Sequence, residues 1–128
     1  MEPGRCFMAK ILIVDDALFM RLTLGNILKS AGYEICEAGN GAEMQLAYAK
    51  EMPDLVLCDI TMPEMDGIEG LKALRKKYPK AKVIMCSAMG QRAMVMDALQ
   101  SGAYDFIVKP FETSKVLESV KKVLAMNI

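Results

Sequence analysis

Histidine is missing from this 128-residue chain. A Ser-His-Asp triad, a Cys-His nucleophile pair and any histidine-ligated metal site are therefore excluded. Net charge is missing as well. The 16 basic residues balance 16 acidic ones, so the chain as a whole has no pull toward nucleic acid or an anionic membrane. A local basic cluster, Arg75, Lys76, Lys77, Lys80 and Lys82, reads as a solvated helix end rather than a binding patch. No apolar run is long enough to span a bilayer, and the first residues lack the charged and apolar regions of a secretory signal. Cysteine is sparse, and Cys6, Cys36, Cys58 and Cys86 follow no zinc-binding spacing. Three of them lie in apolar, strand-like runs, where a thiol packs as a small hydrophobe. Free thiols and a cytoplasmic location are the expectation. Internal repeats and low-complexity stretches are also lacking.

What is present is globular: 53% hydrophobic and 25% charged residues, enough for one packed domain of ordinary size without staples. Residues 1–7 show no periodic pattern, and Met8-Ala9-Lys10 makes a natural start. The domain is therefore expected over residues 9–126, with 1–8 as an N-terminal extension or the remnant of an added leader.

Apolar, β-rich runs punctuate the chain at Ile11 to Val14, Tyr33 to Ala38, Leu55 to Cys58, Val83 to Cys86 and Phe106 to Val108. Each is continuously apolar rather than alternating, as in strands buried on both faces. Segments with helical spacing lie between and after them. Leu18, Leu22, Leu24, Ile27 and Leu28 mark the first, and Ala42, Leu46, Ala47 and Tyr48 the second. Ile68, Leu71, Leu74 and Arg75 mark the third, Val95, Ala98 and Leu99 the fourth, and Val116, Val120, Val123 and Leu124 the fifth. Gly32 and Gly102 fall where helices end, and Pro53 and Pro79 stop helices before the third and fourth strands. Strand-helix alternation of this kind predicts an α/β fold, a parallel sheet with helices on both faces.

Open sheets of this class carry function at the carboxyl ends of their strands. Asp15-Asp16 follows the first run, Asp59 the third, Ser87 the fourth and Lys109-Pro110 the fifth. The fold would gather these four stretches at one edge. Three neighbouring carboxylates repel, so one holds a proton or a cation sits among them. Carboxylate oxygens without soft ligands suit a hard divalent ion such as Mg²⁺. Lys109 offers a positive charge for a carboxylate or a phosphoryl oxygen, and Ser87 a hydroxyl donor. The set suits phosphoryl transfer to a carboxylate, which needs positioning and charge neutralisation above all. Asp59 is the candidate nucleophile, with Asp15 and Asp16 as metal ligands. Taken singly, Asp59 would be a helix cap, Asp15-Asp16 a turn, Lys109 a solvated lysine and Phe106 plain core. Ser87 would be an N-cap, a job it is expected to keep beside the site role.

The segments Ile11 to Asp16 (ILIVDD), Leu55 to Gly67 (LVLCDITMPEMDG) and Ala103 to Phe111 (AYDFIVKPF) resemble the signature segments of response-regulator receiver domains. The resemblance covers Ala9 to Leu124. It implies a flavodoxin-like, doubly wound (βα)5 fold with a five-stranded parallel sheet in the order 2-1-3-4-5. It further implies Mg²⁺ held by Asp15, Asp16, Asp59 and the backbone carbonyl of Thr61, a cis Lys109-Pro110 bond, and a histidine kinase as phosphodonor. Such domains catalyse their own phosphorylation and slow dephosphorylation and are not dedicated enzymes. The resemblance also assigns a switch, in which Ser87 moves toward the phosphoryl group and Phe106 turns inward. The readout face is the fourth helix, fifth strand and fifth helix, where a downstream protein target binds. The free-standing chemotaxis members often carry tyrosine at the position of Phe106, so an output contact through that hydroxyl is lost here.

Met94 and Met96 lie beyond the fourth helix's core stripe, and they read as core completion or scattered exposure before an adaptable interface. The resemblance further implies that Thr61 and Met89 stand where water access to an acyl phosphate is tuned, and Met89 is expected to slow hydrolysis. Pro63 and Gly67 are expected to shape the adjacent loop. Chemotaxis signalling is the leading expectation, with a monomer or weak dimer, no direct nucleic-acid contact and no membrane insertion. The alternatives are the receiver of a transcriptional regulator, or a phosphorelay intermediate. An aspartyl-phosphate phosphatase would need an acid where Thr61 stands. A flavin site would need a first loop that cradles phosphate, and Asp15-Asp16-Ala17-Leu18-Phe19 repels it.

Overall fold

The computed structural model describes residues 9–62 and 66–126; Pro63 and residues 1–8 lie outside them. The elements alternate as β1 (Lys10–Val14), α1 (Leu18–Ser30), β2 (Glu34–Ala38), α2 (Gly41–Glu51), β3 (Leu55–Asp59), α3 (Gly67–Lys77), β4 (Val83–Ser87), α4 (Arg92–Gln100), β5 (Asp105–Val108) and α5 (Thr113–Leu124). All strand pairs are parallel, and the sheet order is β2-β1-β3-β4-β5. This is the flavodoxin-like arrangement, and its order reverses beside β1, between β1 and β3, where such sheets place their sites.

The continuous apolar runs have a physical cause in two cores, one on each side of the sheet. Leu12, Val14, Val56, Cys58, Val83 and Met85 face the side covered by α2, α3 and α4. Their sequence neighbours Ile11, Ile13, Leu55, Leu57, Ile84 and Cys86 face α1 and α5. Side chains alternate along a strand, so a strand covered twice must be apolar at every position. Each fully buried aliphatic side chain contributes about 1.5–3 kcal/mol.

Helix ends follow the punctuation. Gly32 and Gly102 take φ values of 94° and 113°. Met52, ahead of Pro53, closes α2 in the left-handed region at φ 45°. Asn40 caps α2 by accepting the Glu43 N–H at 2.8 Å. Asp66 and Glu69 form a reciprocal capping box at the start of α3.

Several expectations need correction. Leu18, Leu22 and Leu46 have helical spacing but are exposed, and Met44 rather than Leu46 joins Tyr48 on the buried face of α2. Tyr33 precedes β2, which starts at Glu34. Ser87 is not a helix cap: it ends β4, and Gln91 occupies the N-cap position of α4. The basic cluster is only partly a solvated end. Arg75 donates to the Ala81 carbonyl at 2.9 Å and stacks on Tyr104. Lys82 donates to the carbonyls of Leu124 and Met126 at 3.3 and 2.7 Å, tying down the end of α5. Met94 and Met96 need no correction: Met94 packs against the core and Met96 is exposed, the two outcomes expected of them.

Candidate functional site

Each polar strand end is placed by backbone pairing. Asp15 leaves β1 with its N–H on the Ala38 carbonyl at 3.2 Å. Its Oδ1 accepts the Ala17 N–H at 2.9 Å, and Arg21 donates to its carbonyl while bonding Glu37 at 2.8 Å. Asp59 is the last residue of β3, in register with Cys86 of β4, and Ile60 continues the pairing by donating to the Cys86 carbonyl at 3.1 Å. Lys109 follows β5 and donates its N–H to the Ser87 carbonyl at 2.7 Å. The Lys109-Pro110 bond is cis.

These supports bring together the residues that sequence reasoning grouped. Asp15, Asp16 and Asp59 each present a carboxylate oxygen within 4.8 Å of the others. Asp15 and Asp59 are buried and Asp16 is exposed. The Lys109 ammonium bridges the buried pair, 3.1 Å from Asp15 Oδ2 and 3.3 Å from Asp59 Oδ1. Burial pushes the Asp59 carboxyl above its ordinary value, and the Asp15 charge pushes the same way against the opposing pull of Lys109. Burial alone would lower the Lys109 ammonium, but the Asp59 and Asp15 charges outweigh it and hold the group protonated. Cys58 and Cys86 flank the site as buried thiols pushed up by desolvation. They add no charge.

The three carboxylates are hard oxygen donors with one open, exposed member, Asp16. That chemistry fits a divalent cation that keeps part of its water shell, as Mg²⁺ does. Asp15, Asp16 and Asp59 are the residues that could hold it.

The remaining expected residues surround this centre. Ser87 is buried at the end of β4, beside Asp59 through the register of the two strands. Thr61 is exposed, and its hydroxyl accepts the Gln91 Nε2 at 2.7 Å. Phe106 is 40% exposed. With Ser87, Met89, Val95 and Met96 it lines a surface groove of about 430 Å³.

Two features escaped sequence reasoning. A Cβ on Gly67 would stand 1.9 Å from the Asp59 carbonyl oxygen, so α3 starts directly against the strand end carrying Asp59. Only a side-chain-free residue permits that approach. Gln91 joins the loops after β3 and β4 across the site's rim. A glutamine in a loop belongs to no motif, so nothing in the sequence marked it.

Residues 11–121 match the family described as response regulator receiver domain, and the chain belongs to that family. Within it, the chain is similar to chemotaxis protein CheY of Listeria monocytogenes, 56% identical over 116 residues that cover 90% of this chain and 98% of that one. CheY of Bacillus subtilis is 55% identical over 116 residues, covering 90% and 97%. Among solved structures, the CheX–CheY–BeF3–Mg complex from Borrelia burgdorferi aligns with a TM-score of 0.87 and 40% identity, over 92% of this chain and 90% of that one. The receiver domain of NtrX from Brucella abortus aligns at 0.89 and 31% identity, over 91% of this chain and 99% of that one. The chain spans 27% of a longer NtrX chain. It is thus a CheY-like receiver of a two-component response regulator.

Proposed function

We propose that Asp59 is the phosphoacceptor of a chemotaxis-type signalling switch. The observation that carries the proposal is the Lys109 ammonium shared between Asp15 and Asp59 beside Asp16. A buried carboxylate is thereby kept available as a nucleophile while a cation stands ready for the incoming oxygens. The chain has no histidine, so a phosphohistidine donor belongs to a partner, a histidine kinase. An Asp59 oxygen attacks phosphorus, the P–N bond breaks, and the imidazole leaves and takes up a proton. Asp15, Asp16, Asp59 and the Thr61 carbonyl would hold Mg²⁺, which when bound supplies charge neutralisation for the phosphoryl oxygens. The relative from Borrelia burgdorferi was crystallised with Mg²⁺ and BeF3, which supports the same chemistry here.

The Ser87 hydroxyl would donate to one phosphoryl oxygen and Lys109 to another. Bonds made only in the phosphorylated form bias a two-state equilibrium. Phe106 is half-exposed above an open groove, so an inward turn has somewhere to go. The face formed by α4, β5 and α5 would then present itself to a protein target. The phosphoryl group serves as a signal, and slow self-hydrolysis at Asp59 resets it. Incubation with acetyl phosphate and Mg²⁺ followed by intact mass tests the assignment. One phosphoryl group is expected on the wild type and none on Asp59→Asn; an adduct persisting in that variant would overturn it.

A further inference from the structure

The loop after β4 lies over the site's rim with little packing. Ala88, Met89 and Gly90 are all exposed, and Gly90 takes φ 88°. Among the described residues, the side chain that hydrogen-bonds this loop is that of Gln91. The Gln91 Oε1 accepts the Ala88 N–H at 2.7 Å. The same amide donates through Nε2 to the Thr61 hydroxyl at 2.7 Å, and its Nε2 also lies 3.7 Å from Met94 Sδ. Thr61 stands two residues after Asp59 and Ala88 one after Ser87. A single amide therefore spans the two loops that flank the phosphoacceptor, using its acceptor on one and its donor on the other.

We propose that Gln91 is a resting-state latch, a positioning residue that holds the Ser87-Ala88 loop back from Asp59. The inference rests on the phosphoacceptor reading above and adds a regulatory contact to it. Gln91 cannot follow an inward movement of the loop. Its backbone is fixed at the start of α4, where its carbonyl accepts the Val95 N–H at 3.0 Å, and its amide is held from the other side by Thr61. A shift of about an ångström in Ala88 takes a 2.7 Å hydrogen bond out of its favourable range. The latch is thus made in the resting form and broken in the switched form. A contact present in one state only opposes the other by its own free energy.

The test is the affinity for beryllofluoride, a phosphoryl mimic, in saturating Mg²⁺, followed by ¹⁹F NMR on the full chain. Losing in Gln91→Ala the one ordinary hydrogen bond that the shift of Ala88 breaks should tighten binding by about three- to tenfold. Tightening is the informative sign, because a merely structural loss would weaken binding or leave it alone. The Ala88 amide resonance should shift upfield in the variant before any ligand is added. Thr61→Val, which removes one half of the latch and keeps the backbone, should tighten binding in the same direction, and adding it to Gln91→Ala should gain little. Wild-type binding with an unchanged or weaker affinity in Gln91→Ala would overturn the latch alone. Absence of wild-type binding would overturn the phosphoacceptor reading and the latch with it.

Discussion

Replacing Asp59 by asparagine should make the protein more stable, not less, in the absence of a divalent cation. Asp15, Asp16 and Asp59 have carboxylate oxygens within 4.8 Å of one another, and at an effective dielectric of about 20 each such pair repels by about 3.5 kcal/mol. Lys109 lies 3.3 Å from Asp59, and the same dielectric makes that attraction about 5 kcal/mol. Asp16 is exposed, so solvent and salt screen its share. The residue of these opposing contributions is a penalty on the order of 1–2 kcal/mol on ionised Asp59, to which burial adds. Asparagine keeps the shape and removes the charge.

The pH dependence has a definite sign. The folded-state value of the Asp59 carboxyl is raised, first by burial and then by Asp15. The folded protein therefore holds that proton more tightly than the unfolded chain, and ionisation of Asp59 costs stability as the pH rises above the ordinary value of 3.8. The advantage of Asp59→Asn should be full at pH 7 and shrink as the pH falls toward that value. Urea unfolding at both ends of this range measures it. Saturating Mg²⁺ at pH 7 should stabilise the wild type more than the variant and so narrow the difference. A variant less stable than wild type at pH 7 without metal, or a gain that Mg²⁺ leaves untouched, would refute the electrostatic account.

Two further perturbations test other parts of the site. Gly67→Ala places a Cβ 1.9 Å from the Asp59 carbonyl oxygen and 2.8 Å from Ile60 Cα, backbone atoms that cannot step aside. It should cost about 1–3 kcal/mol or more in urea unfolding, whereas Gly70→Ala meets the flexible end of Met44 and should cost less; equal costs would contradict the close-approach explanation. Met89 is 80% exposed on the loop beside Ser87, and Met89→Glu should accelerate loss of the acyl phosphate several-fold in a chase after removal of acetyl phosphate. An unchanged rate would separate that side chain from control of hydrolysis.

Most of the architecture was readable because burial on both faces leaves a strong signature. Ile11 to Val14 and Leu55 to Cys58 are apolar at every position since successive side chains enter opposite cores. The acidic and lysine positions were readable because each follows such a run directly. Helix faces were less legible. Leu46 and Met44 sit two positions apart on α2, both apolar, and only packing against α3 and the sheet decides that Met44 is buried. The same holds for Leu18 and Leu22 against Leu24 and Leu28 on α1. Outside the strand-end cluster, side-chain bonds between distant segments left no trace. Gln91 and Thr61 are 30 residues apart, and Arg21 reaches Glu37 across 16. Gly67 looked like a loop former, and its closeness to the Asp59 carbonyl follows only from how α3 packs against β3.

The edge position of β5 has a consequence for solubility. A sheet grows by adding strands to an open edge, and β5 is one of the two edges here, with Phe106 and Val108 exposed along it. Such a strand invites pairing with another chain unless something blunts it. Here β5 is four residues long. It begins with Asp105, whose carboxylate is held by Ser119 at 2.7 Å and Lys122 at 2.9 Å. It is followed after Lys109 by Pro110, which has no N–H to offer a new partner. A fixed charge at one end and a missing donor at the other leave little edge for an incoming strand to copy. The apolar side chains on this strand can therefore stay in solvent without making it a seed for edge-to-edge aggregation.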